Sequence, residues 1–204
     1  MEEQIMNMPA VALRGLTILP GMIAHFDISR ERSLRAVEEA MEQDQKIYLV
    51  TQRNVDSEDP TQEDLYQMGI VADIKQVVRL QNDVVRILVD GISRAALLGF
   101  TGNEKYLEAE ICYCDSNADS LPEDLREAML LGVREAFHRY AAVVGKISKE
   151  LIRQIDQYED LEKLIDYVTN NLPVSYELKQ QVLEAEDIND RYQVIVSLLS
   201  LIHI

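Results

Sequence analysis

The residues of this chain that could do chemistry are few, and their spacing departs from the motifs that would use them. The Gly145-Lys146 pair is followed by Ile147, and Tyr140 stands where a phosphate-binding loop has its first glycine. The stretch from Gly91 to Ala95 is one residue away from a nucleophile-elbow pattern, but we expect it between two antiparallel strands, not at a strand-to-helix turn. The sequence therefore predicts no nucleotide site and no catalytic residue, and a hydrolase that uses Ser93 is kept only as a rival hypothesis.

Residue types that can bind metals are equally scattered. His25, His138 and His203 lie far apart in the sequence, and none has another histidine or a cysteine at metal-ligand spacing. Cys112 and Cys114 are too few for a disulfide framework, and we expect both on one face of a strand as buried thiols. The sequence predicts no metal site and no cofactor in this chain.

Composition and charge limit the partners. Among 204 residues, 20 are Lys or Arg and 36 are Asp or Glu, which gives a formal net charge of −16. A surface with that average charge repels phosphate backbones and anionic lipid headgroups. The N-terminus is acidic where a secretory signal is basic, and no apolar stretch reaches the roughly 18 residues of a membrane span. We expect a cytoplasmic protein that binds neither membranes nor, through this region, nucleic acid.

The spacing of apolar residues changes near Asp115. From Val11 to Cys114 apolar residues mostly alternate, as in strands, whereas from Leu121 onward they recur at helical spacing. Between the two lies a run of small polar residues, which is typical of a linker. We predict a β-rich domain over residues 1–115, a linker over 116–120 and a helical bundle over 121–204.

The first domain has the signals of a compact, mostly antiparallel, barrel-like sheet with one inserted helix. Pro20-Gly21 and Gln81-Asn82-Asp83 predict turns, and Gln76-Val77 breaks the alternation of the clearest strand. Strands are expected at Ala10–Leu13, Leu16–Ile18, Met22–Ile28, Lys46–Gln52, Ile70–Leu80, Val84–Val89, Arg94–Leu98 and Tyr106–Cys114.

Two capping patterns lie in the same domain. Ser29 is expected to cap the inserted helix, which would run to about Gln45 with Leu34, Val37, Ala40 and Met41 along its apolar face. Thr61 and Asp64 have the spacing of a capping box for a short helix. Both predictions place helix starts at polar residues that follow strands.

Five helices are predicted in the second domain. The last of them contains many apolar residues up to Ile204 and no stop signal, so we expect the chain to be a fragment whose continuation is helical. The predicted helices are Glu123–Val144, Ser148–Tyr158, Asp160–Leu172, Ser175–Leu183 and Asp187 to the end.

An ordered series of short motifs resembles the N-terminal domain of Lon, the ATP-dependent serine protease. The matching segments cover nearly the whole chain, although Ala10-Val11-Ala12-Leu13 stands where the family more often has Leu and Pro. They are Pro9–Leu16, Leu19–Met22, Ser29–Ser33, Tyr48–Gln52, Asp59–Thr61, Leu65–Tyr66 with Gly69, Val89–Gly91 with Arg94–Ala95, Asn171–Pro173 and Lys179–Glu184.

The resemblance implies an α+β fold, in which a PUA-like β domain is joined to a helical bundle that leads toward an absent ATPase module. It also implies a domain that binds misfolded, damaged and short-lived regulatory proteins and helps to assemble a hexamer. The parent protein would use ATP and Mg and would carry the catalytic residues. A stand-alone PUA-like module that binds nucleic acid or protein is the alternative.

Apolar and soft side chains near turns are the candidates for substrate contact, because a promiscuous binder benefits from adaptable surfaces. For each of them, packing between sheet and helix is the competing interpretation. The apolar candidates are Met22, Ile23, Phe26, Tyr66 and Met68, and the polar candidates are Arg32 and Arg35, which are interleaved with acidic residues on one helix.

Overall fold

A computed structural model describes residues 5–114 and 118–201 of the chain. Its contacts divide it into two compact units, Met1–Cys114 and Asp115–Ile204. The first is called the β unit below, and the second the helical unit. Residues 115–117, which include the start of the predicted linker, lie outside the described residues, as do His203 and the last apolar residues of the predicted final helix.

The β unit contains six strands and one α-helix within the described residues. Helix α1 spans Glu31–Glu42 and packs against β1. The strands are β1 Ile5–Leu13, β2 Ile23–Ile28, β3 Lys46–Thr51, β4 Met68–Arg79, β5 Val85–Phe100 and β6 Glu108–Tyr113.

Five of the strands close into a barrel. The sheet order is β2-β5-β4-β3-β1-β6, and β6 also pairs with β5, which joins the two ends of that order. Only β1 and β3 are parallel, so the prediction of a mostly antiparallel sheet is confirmed. The sixteen-residue β5 pairs with β6 through its C-terminal half and with β2 through its N-terminal half, which leaves β2 outside the barrel as an added strand.

The barrel interior is apolar and tightly packed. Tyr48 is fully buried in it and donates its hydroxyl to the carbonyl of Ala95 at 3.0 Å. A Cβ atom added at Gly69 would lie 2.5 Å from the Tyr48 hydroxyl and 2.6 Å from the Leu49 carbonyl oxygen, so this position excludes any side chain. The interior is lined by Met8, Ala10, Ala12, Tyr48, Val50, Leu65, Val71, Ala95, Leu97, Leu107, Ala109 and Ile111.

Local signals in the sequence located several features correctly. The register between β4 and β5 shifts between Ile74 and Gln76, where the alternation breaks. The hairpin turn places Asn82 and Asp83 at positive φ, as a tight turn requires. The capping box of Thr61 and Asp64 is present at a single 3-10 turn.

Other local predictions were wrong. Leu16–Ile18 is not a strand, and the two strands predicted at Val84–Val89 and Arg94–Leu98 are the single strand β5. Helix α1 begins after Arg30 and not after Ser29, and no side chain caps it. Its buried face is Ser33, Ala36, Val37 and Ala40, whereas Met41 is exposed, because it lies about 100° around the helix from Ala40, at the margin of that face.

The helical unit has five α-helices within the described residues, close to the predicted positions. Ser148 caps α3 and Asp160 caps α4, each by accepting a hydrogen bond from a backbone N–H of the first turn. The helices are α2 Glu123–Val144, α3 Lys149–Gln157, α4 Leu161–Asn171, α5 Tyr176–Glu184 and α6 Ile188–Leu201.

A buried arginine ties three segments of the helical unit together. The side chain of Arg191 on α6 is 2% exposed and forms an ion pair with Glu162 on α4. It also donates to the carbonyl oxygens of Ala185 and Glu186, at 2.7 and 2.9 Å, just beyond the end of α5. These contacts satisfy carbonyls that the end of a helix leaves without internal partners.

Candidate functional site

The predicted apolar contacts on β2 reach the surface. Ile23 is 68% exposed at the start of the strand, and Met22 and Phe26 are half-buried. Phe26 lines a cavity of about 210 Å³ that is also bordered by the end of β1 and the start of α1. Apolar side chains of β2 are therefore accessible at the start of the strand, at Ile23, and beside this cavity, at Phe26.

The two predicted polar contacts are already paired. Arg32 lies 3.5 Å from the carboxylate of Asp59 and donates to the carbonyl of Asn103 at 3.3 Å. Arg35 forms an ion pair with Glu31 one turn earlier on α1. A ligand would have to displace these partners to use either guanidinium.

Tyr66 and Met68 have different surroundings. Tyr66 is half-buried beneath the guanidinium of Arg53, which lies 4.5 Å from the ring centre, and it lines a groove of about 700 Å³ with Leu65 and Leu97. Met68 is only 4% exposed, and its sulfur lies 3.6 Å from the thiol of Cys114. Met68 is therefore a core residue that an external polypeptide does not reach, because its position in β4 points into the unit.

Two arginines that the sequence did not single out border the cavity beside Phe26. Arg14 donates to the carbonyl of Ser57 at 3.0 Å, and Arg30 donates to the same oxygen at 2.9 Å and to the side chain of Gln52 at 2.8 Å. Among the described residues neither forms a salt bridge. Arg14 is exposed, so most of its N–H donors remain available to a ligand.

The electrostatics of this rim are unusual for so acidic a chain. Burial lowers the pKa of Arg30, the charge of Arg14 lowers it further, and the carboxylates of Asp59 and Glu58 act in the opposite direction. Asp27 also borders the cavity, but Arg86 binds it through two hydrogen bonds of 2.6 and 2.9 Å. The rim therefore keeps positive charge that can attract an anion. In the sequence, the one available signal was the position of each arginine directly after a buried strand or before a helix.

The backbone of β2 is a second feature that only the structure shows. Within the described residues β2 has β5 as its single neighbouring strand. The N–H of Gly91 on β5 donates to the carbonyl of Met22 at 3.0 Å, so alternate residues of β2 face β5. The N–H and carbonyl groups of Ile23, His25 and Asp27 consequently point away from the sheet. An exposed row of this kind is a template for pairing with another extended chain.

The rival catalytic site has a structural explanation. Gly91 and Ser93 lie inside β5, so the expectation that they connect two separate strands was wrong. A Cβ atom added at Gly91 would lie 2.3 Å from the carbonyl oxygen of Leu19, which explains a glycine there by close backbone approach. Ser93 is half-buried in a regular strand, which is not the strained strand-to-helix turn of a nucleophile elbow.

The described residues contain neither a metal-binding cluster nor a membrane-spanning helix. Over residues 5–114 and 118–201, no group of three or more His, Cys, Asp or Glu side chains is placed to hold a metal ion. Cys112 and Cys114 are free thiols and half-buried. In the same part of the chain no helix has both the length and the apolar character needed to cross a membrane.

Comparison with known families settles the ancestry of the chain. Residues 7–200 match the model of the ATP-dependent protease La (LON) substrate-binding domain. The chain belongs to this family. The resemblance drawn from the short motifs is thus confirmed, and the match supports a Lon substrate-binding domain over a stand-alone PUA-like module.

Relatives and solved structures agree with the family. The chain is 35% identical to Lon protease of Lachnoclostridium phytofermentans over 200 residues and 35% identical to Lon protease of Clostridioides difficile over 196 residues. These matches cover 98% and 95% of the chain but 25% of each relative, so the chain spans about a quarter of the curated relatives it matches.

The fold has solved counterparts among Lon proteins. The N-terminal domain of Mycobacterium avium complex Lon protease aligns with a TM-score of 0.78 at 19% identity, covering 96% of this chain and 98% of that one. A Lon N-terminal domain protein from Xanthomonas campestris aligns with a TM-score of 0.64 at 12% identity, covering 94% and 98%. At these identities the likeness concerns the fold, and it confirms the predicted α+β class.

Proposed function

We propose that this domain binds unfolded or damaged polypeptides, and short-lived regulatory proteins, for a Lon-type ATP-dependent serine protease. The observation that carries the proposal is the match of residues 7–200 to a substrate-binding domain family. In this proposal the chain binds and does not cut. Unfolding and cleavage belong to other parts of the parent protein, which uses ATP and Mg.

The exposed end of β2 supports polypeptide binding in the β unit. Ile23 is the most exposed large apolar side chain among the described residues, Met22 precedes it, and Phe26 lies on the opposite face of β2. Flexible and apolar side chains suit a binder that must accept many sequences. Tyr66, on its separate groove, is a second proposed contact, and Arg32 and Arg35 are proposed polar contacts that exchange their internal partners for substrate.

The setting in the parent protein is part of the same proposal. Lon-type subunits assemble into a hexamer in the cytoplasm, and the domain assists this assembly while it holds substrate. Weak individual contacts gain affinity when several copies of a domain bind one chain, since each further contact is made at high effective concentration. A hexamer would therefore strengthen the capture of long unfolded polypeptides.

Fluorescence anisotropy with the purified 204-residue chain tests the binding step. We expect it to bind a labelled, reduced and alkylated polypeptide in a way that tolerates salt, because apolar contacts are not screened. Ile23→Ser should weaken this binding about fivefold, on the scale of one partly buried aliphatic side chain. Leu131→Ser on α2, where the side chain is 54% exposed, is the matched control and should leave it unchanged.

A labelled oligonucleotide provides the opposing arm of the same experiment. Binding to the oligonucleotide that falls steeply with salt, without binding to the polypeptide, would show a nucleic-acid module and overturn the proposal. The net charge of −16 favours the first outcome.

A further inference from the structure

The cavity beside Phe26 joins two features that fit one ligand. One is the free edge of β2, which is formed by the outward backbone groups of Ile23, His25 and Asp27. The other is Arg14, which lines the same cavity and donates a single hydrogen bond, to the carbonyl of Ser57. Backbone donors and acceptors recognise an extended peptide of any sequence, and a guanidinium recognises a carboxylate.

We infer that an extended segment of substrate polypeptide binds to the free edge of β2 as an added strand, with one of its carboxylates on Arg14. This inference rests on the proposed function, and it names the conformation and the chemistry of the bound segment. The three outward residues of β2 allow main-chain pairing at alternate positions of the peptide. Main-chain pairing supplies affinity without sequence selectivity, and the carboxylate adds a preference for acidic segments.

Charge complementarity favours an acidic segment as the ligand of this site. Asp27 on the same edge is held by Arg86, so it does not neutralise Arg14. Arg30 lies beside Arg14, and the hydrogen bonds of both arginines converge on the Ser57 carbonyl. A carboxylate that approaches Arg14 also meets the field of Arg30. Arg30 itself is a positioning residue, since its guanidinium orders Gln52 and the loop at Ser57.

The ligand-side test uses a labelled, C-terminally amidated peptide of alternating valine and serine that contains one aspartate. Methylation of single backbone nitrogens should weaken its binding with a period of two, because every second N–H of an added strand faces β2. Replacement of the aspartate by asparagine should weaken binding about tenfold, the scale of one charge-assisted hydrogen bond.

Two substitutions test the protein side. His25→Pro removes an outward N–H while it keeps the ladder with β5, and proline is tolerated at such an edge position. His25→Ala is its control, because the N–H is retained. Arg14→Gln should lower affinity for the aspartate peptide about tenfold and leave the asparagine peptide unaffected. Arg139→Gln on α2, where the side chain is 63% exposed, makes the same charge change in the helical unit and should have no effect.

The outcomes separate this inference from the proposed function. If the unfolded polypeptide binds but methylation shows no period of two and His25→Pro has no effect, strand addition is wrong and the proposed function stands. If His25→Pro does not fold, the methylation scan alone tests strand addition. A period of two in the loss of affinity supports strand addition, and its absence contradicts it. If neither the polypeptide nor the peptide binds, both fail.

Inorganic phosphate distinguishes the two sources of an anion at Arg14. Sodium phosphate should displace the aspartate peptide no better than sodium chloride of equal ionic strength. Stronger displacement by phosphate, together with equal affinity for the aspartate and asparagine peptides, would make Arg14 a phosphate site and overturn its carboxylate role.

Discussion

One arginine of the β unit and one of the helical unit are used in opposite ways. In the helical unit, Arg191 is buried and spends its donors on Glu162 and on two carbonyl oxygens. In the β unit, Arg14 stays exposed at a cavity rim and makes one hydrogen bond, to the carbonyl of Ser57. The donors of Arg191 are used inside the helical unit, whereas most of those of Arg14 remain available to a ligand.

The interiors of the two units also differ in how far they rely on polar and charged contacts. The barrel is held by apolar packing around Tyr48, so its stability depends mainly on close fit. The helical unit adds a buried ion pair and helix caps to its apolar contacts. We therefore expect steric changes to damage the β unit and losses of polar partners to damage the helical unit.

Breaking the buried ion pair should have the largest effect. Arg191→Ala removes the guanidinium that faces the mostly buried carboxylate of Glu162, which costs about 3–5 kcal/mol in the free energy of unfolding of the helical unit. Urea denaturation followed by far-ultraviolet circular dichroism measures the loss. Arg153→Ala, which removes an exposed pair with Glu150, is the control and should cost about 0–1 kcal/mol. Equal losses in the two variants would contradict the contrast between the units.

A single added methyl group should destabilise the barrel. Gly69→Ala places a carbon 2.6 Å from a backbone oxygen, and such overpacking costs about 1–3 kcal/mol. Gly99→Ala in β5 is the matched control, since its nearest neighbour is the side chain of Gln62 at 3.7 Å. Thermal unfolding of both variants decides the point, and a stable Gly69→Ala protein would show that the barrel is not tightly packed there.

The caps of the helical unit offer a smaller test. Ser148→Ala removes the hydrogen bond accepted from the N–H of Leu151 and should cost about 1 kcal/mol. Ser175 stands at the start of α5 without bonding a backbone N–H, so Ser175→Ala should cost clearly less. The same urea titrations give both values, and the reverse order would be evidence against the cap at Ser148.

The smallest effect concerns pH and the β unit. The pKa of the Asp73 carboxyl is lowered most by a hydrogen bond from Lys75, and a hydrogen bond from Lys46 lowers it further. A carboxyl with a lowered pKa in the folded state stabilises the fold above about pH 4 and loses that contribution as the pH falls through the folded value. Melting temperatures of Asp73→Asn should therefore fall less steeply below pH 4 than those of the unmodified chain. Parallel curves for the two proteins would show that these lysines do not stabilise the carboxylate.

Prediction from sequence succeeded where the signal was local. Helix α2 was placed at its observed bounds, and the broken alternation noted at Gln76-Val77 coincides with a register shift between β4 and β5. The union of two predicted strands into β5 was missed, because a strand that changes partners looks like two strands with a glycine between them. For the same reason the sequence did not reveal the edge position of β2, which depends on the pairing of the whole sheet.

The candidate site was only partly predictable. Ile23 and Phe26 were chosen because they lie near a turn, and both are accessible beside a cavity or edge. Met68 was chosen on residue type and is buried. Arg14 was missed because its availability depends on its making one hydrogen bond and no salt bridge among the described residues, and in a chain with 36 acidic residues only the structure can show that.

Hydrogen–deuterium exchange with and without an unfolded polypeptide tests most directly the claim that binding belongs to the β unit. We expect bound polypeptide to slow the exchange of peptides that contain Ile23, His25 and Asp27, whose N–H groups face away from the sheet. Peptides from the helical unit should exchange at unchanged rates. Protection confined to residues 118–201, with β2 unaffected, would contradict the account and move substrate binding to the helical unit.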